Sequence, residues 1–251
     1  MLEPDIGFFA VTIPAVIFAG ISKGGFGSGV AFASASILAI YLDPGQALAL
    51  MLPLLMLIDL ATLKPYWRRW SGPDARLLIL GGLPGVALGA LLYHATDADL
   101  LRLLIGGISL AFVAWQMARG RGWVREFTSR LPPAAGLLAG TVAGFTSFVS
   151  HAGGPPAAVY LLSQRLGKTE FQATTVLTFW ALNIAKFIPY AWLGMFTLDT
   201  ARAGLLLAPF ALLGAWLGVK AHHLVPERAF FALAHFMLTL TGVKLIWDAL
   251  G

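Results

Sequence analysis

The sequence predicts an all-α polytopic membrane protein of two inverted repeats, each a glycine-broken segment followed by three transmembrane helices. Three observations predict it: an apolar composition, a broken segment that occurs twice, and basic residues confined to alternate loops. Of 251 residues, 58% are hydrophobic and 12% charged, about half the charged share of a soluble domain. A soluble fold must cover itself with polar groups, whereas a bilayer accepts this surface. The absence of cysteine excludes a disulfide scaffold and a thiolate metal site, and the hydrophobic content excludes disorder. The net charge of +5 does not point to nucleic acid, because the basic residues stand in short clusters between apolar runs. Residues 1–5 lack the positive start of a signal peptide, so the first apolar segment is expected to remain in the mature protein.

A spanning helix needs about 20 mostly apolar residues. Residues 46–63, 77–93, 100–117, 171–192, 201–219 and 229–249 meet or approach that. Two longer regions are interrupted, 6–41 by Ser22-Lys-Gly-Gly-Phe-Gly-Ser-Gly29 and 133–163 by Ser150-His-Ala-Gly-Gly-Pro-Pro156. Irregular backbone at membrane depth is tolerated where protein or a water-filled cavity surrounds it. Gly24-Gly25 matches Gly153-Gly154 about 129 residues later, Gln46-Ala47 matches Gln172-Ala173, and Pro84 with Gly89 matches Pro209 with Gly214. Three matches in order divide the chain into a first repeat (1–118), a basic cytoplasmic linker (119–131) and a second repeat (132–251).

Charge supplies the orientation. Lys64, Arg68, Arg69 and Arg76 share one loop, and Arg119, Arg121, Arg125 and Arg130 another; both are expected inside. Arg165 with Lys168, and Lys220 with Arg228, mark two more inner loops, while Asp5, Asp43, Asp97, Asp199 and Asp248 fall outside. Asp43 follows the first broken region outside, yet its counterpart near Lys168 is inside, so the repeats must be inverted and both termini periplasmic. That demands an odd number of crossings per repeat: five if each broken region crosses twice, three if it re-enters. Gly81, Gly85 and Gly89, Gly136, Gly140 and Gly144, and Gly214 and Gly218 recur every four residues, a spacing that allows close helix contact in lipid.

The glycine run at 24–29 lacks the preceding strand and the Gly-Lys-Ser/Thr ending of a nucleotide loop. In a membrane, a helix that stops and restarts offers free N–H groups and a partial positive charge, which suit an anion. Ser22, Lys23, Gly24, Gly25 and Gly27 of the first break, and Ser150, His151, Gly153, Gly154 and Pro155 of the second, are therefore candidate substrate contacts. Asn183 and Lys186 on the following helix extend the set. Asp59, His151 and Lys186 are candidates for coupling; Asp59 and Lys186 could equally form a buried ion pair across the pseudo-twofold axis. The titratable inventory suits uniport or weak proton linkage better than a multi-proton relay. Gln46, Gln172 and Thr175 are weaker candidates. No enzyme constellation appears and no metal or cofactor is expected. The five histidines keep a haem or redox membrane subunit as the rival class, and an anion channel as the rival within transport.

Gly20-Ile-Ser-Lys-Gly-Gly-Phe-Gly27 in the first half and His151-Ala-Gly-Gly-Pro-Pro-Ala157 in the second resemble the TauE/SafE family of membrane permeases. The resemblance covers essentially the whole chain. It implies a multi-pass transporter of the bacterial cytoplasmic membrane that exports sulfur-containing anions such as sulfite, sulfoacetate or other organosulfonates. The expected partners are thus a small anionic substrate, held at the midplane between the two breaks, and the lipid bilayer.

Overall fold

In the computed structural model the described residues are 5–26, 31–124, 129–222 and 227–251, with side chains of the last stretch described from 232. Among them every regular element is a helix: α1 (Ile6–Gly25), α2 (Ala33–Tyr41), α3 (Pro44–Leu63), α4 (Gly72–His94) and α5 (Ala98–Gly120), then α6 (Pro133–Ser150), α7 (Gly154–Ser163), α8 (Lys168–Trp192), α9 (Leu198–Ala221) and α10 (Glu227–Leu250). Seven are long and apolar enough to cross a membrane: α1, α3, α4, α5, α6, α9 and the Ala232–Leu250 part of α10. The chain is an all-α, seven-span polytopic membrane protein. Residues 171–192, expected as a span, lie in α8, which is long enough but too polar to join the seven. Its Gln172, Thr174, Thr175, Thr178, Asn183 and Lys186 are all buried, while Ile184, Phe187 and Ile188 face outward.

Local chemistry sets the helix starts. Asp5 and Asp97 accept backbone N–H bonds at the heads of α1 and α5, and Asp43 does so for α3, with Pro44 at its first position. The two breaks differ. α1 continues through Gly25, whereas α6 stops at Ser150, and Gly153-Gly154 opens α7 with Pro155 in its first turn. The glycine pairs matched in the sequence therefore stand on opposite sides of their breaks. Gly27 lies outside the described residues.

Contacts between ends fix the course of the chain. The Tyr41 hydroxyl donates to Asp5, so α2 brings the chain back to the level where α1 began. Tyr66, just past α3, donates to the Gly24 carbonyl at 2.7 Å, so α3 runs alongside α1 in the same direction. In the second half Gln164, after α7, donates to the Leu131 carbonyl, so α7 returns to the level where α6 began. One end of the bundle thus collects Asp5 and Asp43; the other collects Arg119, Lys168 and the head of α4, where Tyr160 donates to Asp74.

Glycines set the tightest helix contacts. α1 lies on α9 and α4 on α6, each pair running in parallel. A Cβ on Gly20 would lie 2.6 Å from the Ala215 nitrogen, and one on Gly85 would overlap the Thr141 carbonyl. These stripes pack backbone on backbone, as their spacing predicts.

Candidate functional site

Two charged clusters lie buried among α1, α3, α6 and α8. In the first, Lys23 Nζ sits 2.6 Å from Asp59 Oδ1, and Asn183 Nδ2 donates to Asp59 Oδ2 at 2.6 Å. Lys23 is 3% exposed and Asp59 fully buried, a costly arrangement in a membrane unless the charges are paired. Gln172 donates to the Lys23 carbonyl, tying α8 to the end of α1. The ion-pair partner of Asp59 in the structure is thus Lys23, where the sequence left Lys186 open as one alternative.

Lys186 anchors the second cluster. Its Nζ lies 3.0 Å from the Ser147 carbonyl, 2.9 Å from the Ser147 hydroxyl and 2.9 Å from His151 Nδ1. His151 Nε2 lies 3.1 Å from the Leu48 carbonyl; a carbonyl only accepts, so Nε2 carries a hydrogen and donates it there. The backbone of His151 is left-handed (φ 57°), where its N–H and that of Ala152 bond back to Ser147 and Thr146 and close α6. Glycine is the usual occupant of such a position, and a histidine there costs roughly 1 kcal/mol of backbone energy. Its imidazole is held by side-chain bonds to two other helices.

A cavity of about 530 Å³ lies at the end of α1, where Gln172, which bonds the Lys23 carbonyl, forms part of its wall; none of the cluster side chains lines it. It runs along α7, from Leu166 and Lys168 at the basic end to Gly154 and Pro155 at the helix N-terminus, and touches Gly25 and Phe26 of the first break. Gln172, Thr175, His222, Gln116 and Arg119 supply further polar groups, and Phe112, Trp115 and Phe171 an apolar wall. The Arg119 guanidinium lies 5.6 Å from the Trp115 ring centre. Lys168 donates to the His222 carbonyl, and the His222 ring to the Gly25 carbonyl at 2.6 Å, so the mouth is braced across α1, α8 and α9. Burial holds the Tyr66 phenol up at about 12, so it remains a donor to Gly24.

Of the sequence-predicted residues, Gly25, Gly154 and Pro155 line the cavity. Lys23, Asn183, His151 and Lys186, with Asp59, form the two buried clusters and do not line it. Ser22 is buried on α1, and the Ser150 hydroxyl bonds back to Thr146. Gly24 and Gly153 are in packing contacts: a Cβ on Gly24 would meet the Ala215 carbonyl of α9, and one on Gly153 the Ala143 carbonyl and the Phe179 ring. Sequence reasoning missed Arg119, Gln116 and the aromatic wall and read Lys168 solely as a topology marker. Nothing in the sequence shows that α5 comes beside α7. Among the described residues no group of three or more His, Asp or Glu side chains could hold a metal.

Comparison with curated proteins and with solved structures gave no match. The family description "Sulfite exporter TauE/SafE" matches residues 12–245, a stretch that contains five of the seven spans whole and most of the other two, both breaks, the charged clusters and the cavity. Members of this family are membrane transporters, not enzymes. On a match that reaches from α1 into α10, this chain belongs to the TauE/SafE family.

Proposed function

We propose that the chain is a secondary transporter that exports small sulfur-containing anions, such as sulfite, sulfoacetate or related organosulfonates, across the bacterial inner membrane. The observation that carries this reading is the cavity that reaches both helix breaks. It offers an anion the Arg119 guanidinium and Lys168 ammonium, the second N–H of the Gln172 amide, whose first is given to the Lys23 carbonyl, and the Gly154 N–H at the head of α7, where Pro155 and Pro156 carry none. Gly154 and Pro155 would contact the substrate, and the buried clusters of Lys23, Asp59, Asn183, His151 and Lys186 stand outside the cavity wall.

The architecture under this reading is two inverted five-helix repeats, 1–118 and 132–251, joined by the linker 119–131. Its support is that α1 on α9 is mirrored by α6 on α4, while α3 meets α8 and α5 meets α10. Each broken region goes and returns, giving five passes, the odd number that inversion requires. With the basic end in the cytoplasm, both termini are periplasmic and the cavity opens inward. Phe148, Tyr190 and Phe196 close the opposite end, Tyr190 donating to the Phe148 carbonyl at 2.6 Å. The inside-negative potential favours exit of an anion by about 2.3 kcal/mol per charge per 100 mV. Uptake by proteoliposomes, screened over sulfite, sulfate, sulfoacetate and taurine, tests the reading. Saturable flux of at least one sulfur anion is expected; equal leakage of chloride and all four compounds would mark a channel and overturn it.

A further inference from the structure

Two parallel helices end at the cavity with their negative poles. Gly25 closes α1 at the cavity wall, and His222, the C-cap of α9, lies on the same wall. A helix C-terminus carries about half a negative charge, on carbonyls to which the helix itself gives no donor. Two such ends would offset about one of the two positive charges that Arg119 and Lys168 bring to the cavity. In this structure the carbonyls are covered. At the end of α1 the Ser22 carbonyl takes the Phe26 N–H, and each of the next three accepts from a side chain of a different element. The Lys23 carbonyl accepts from Gln172 of α8, that of Gly24 from Tyr66 after α3 at 2.7 Å, and that of Gly25 from the His222 ring at 2.6 Å. At the end of α9 the His222 carbonyl accepts from Lys168 Nζ at 2.9 Å. Stability alone does not call for such donors, because carbonyls that open on a watery cavity can bond to water. Three of the four donors, Gln172, His222 and Lys168, belong to the cavity wall itself.

We propose that Gln172, Tyr66, His222 and Lys168 set the charge selectivity of the cavity by covering the carbonyl ends of α1 and α9, which would otherwise repel an anion and draw a cation. Tyr66 is the purest case. It does not line the cavity and reaches it only through the Gly24 carbonyl, so it is a positioning residue. Without its hydroxyl that carbonyl turns its lone pairs to the site, and the repulsion grows with the charge of the anion. This inference rests on the anion-transport reading for its ligand, and on four hydrogen bonds for the covered helix ends.

The test compares two sulfonates of different charge, methanesulfonate with one and sulfoacetate with two, bound to the full-length protein in liposomes at pH 7.5 and measured by calorimetry. Tyr66→Phe removes the hydroxyl and keeps the ring, which meets His222 edge-on with centres 5.8 Å apart. Affinity should fall about threefold for methanesulfonate and about tenfold for sulfoacetate, since the electrostatic loss scales with charge. A Tyr66 that serves stability alone would lower the melting temperature and leave both affinities unchanged, or lower both by one factor; either result overturns the inference and leaves the transport reading intact. His222 gives the second comparison. His222→Asn keeps an N–H where Nδ1 stands and should preserve the parent ratio of the two affinities, whereas His222→Leu should shift that ratio as Tyr66→Phe does. Equal shifts in the Asn and Leu variants would also overturn it. If the parent binds neither sulfonate, nor sulfite or sulfate, the transport reading itself falls, and the selectivity with it.

Discussion

Lys23 of α1 and Asp59 of α3 face each other at 2.6 Å with almost no solvent contact on either side. Removing one partner strands the other charge in an apolar bundle, at a cost of about 3–5 kcal/mol, whereas removing both leaves no charge behind. Lys23→Met and Asp59→Leu should each lower the melting temperature of the detergent-solubilised protein markedly, and the double variant should recover most of the loss. Additive losses would show that the two side chains do not depend on each other. Reading Lys23 from sequence as an anion contact alone overlooks this pairing.

Gly85 of α4 and Gly20 of α1 sit where backbones touch. A methyl group at either must push two helices apart, and overpacking of this kind costs roughly 1–3 kcal/mol. Gly107 of α5 has open space around its Cβ position. Thermal melts should show Gly85→Ala and Gly20→Ala destabilised and Gly107→Ala unchanged. Three equal effects would mean that helix propensity, not contact, decides.

The stripe at Gly81, Gly85 and Gly89 was legible because packing in lipid imposes a four-residue period on one strand of sequence. So was the second break, where Pro155 can open a helix but not continue one from Ser150. What the sequence does not carry is partnership between distant helices. Asp59 lies 36 positions from Lys23 and 127 from Lys186, and spacing alone gives neither an advantage; in the fold, α3 runs beside α1 and takes Lys23. The same limit hid Arg119, which reads as one of several loop arginines until α5 is set beside α7. Matching Gly24-Gly25 to Gly153-Gly154 by identity also misleads. Gly24 and Gly25 end a helix against α9, whereas Gly153 and Gly154 begin one, with Gly153 also packed on Ala143 and Phe179.

Asp97 stands at the head of the span α5 and Ser129 beyond its end, and the inverted arrangement proposed above puts the first outside and the second in the cytoplasm. In this cysteine-free chain, single Asp97→Cys and Ser129→Cys variants can be labelled with an impermeant maleimide. In intact cells Asp97→Cys should react and Ser129→Cys should react only after the membrane is opened. Labelling of both from the same side would end the inverted arrangement.

Under the proposed function Arg119 is the residue that best tests the cavity, because its guanidinium lies at the cavity wall over the Trp115 ring. A charged hydrogen bond to a ligand is worth about 1.5–3 kcal/mol, or roughly ten- to a hundredfold in affinity. Arg119→Gln keeps length and some hydrogen bonding and removes the charge. It should raise the substrate concentration for half-maximal flux by that factor, while the melting temperature without ligand stays close to the parent, since Arg119 is only partly buried at the rim. Arg119→Lys should recover part of the affinity, because it keeps the charge and loses the planar fork. Trp115→Ala is the companion test: it leaves the charge but frees the guanidinium, so affinity should fall less than in Arg119→Gln. If Arg119→Gln transports with unchanged half-saturation, the anion does not pass this arginine, and the cavity is not its route.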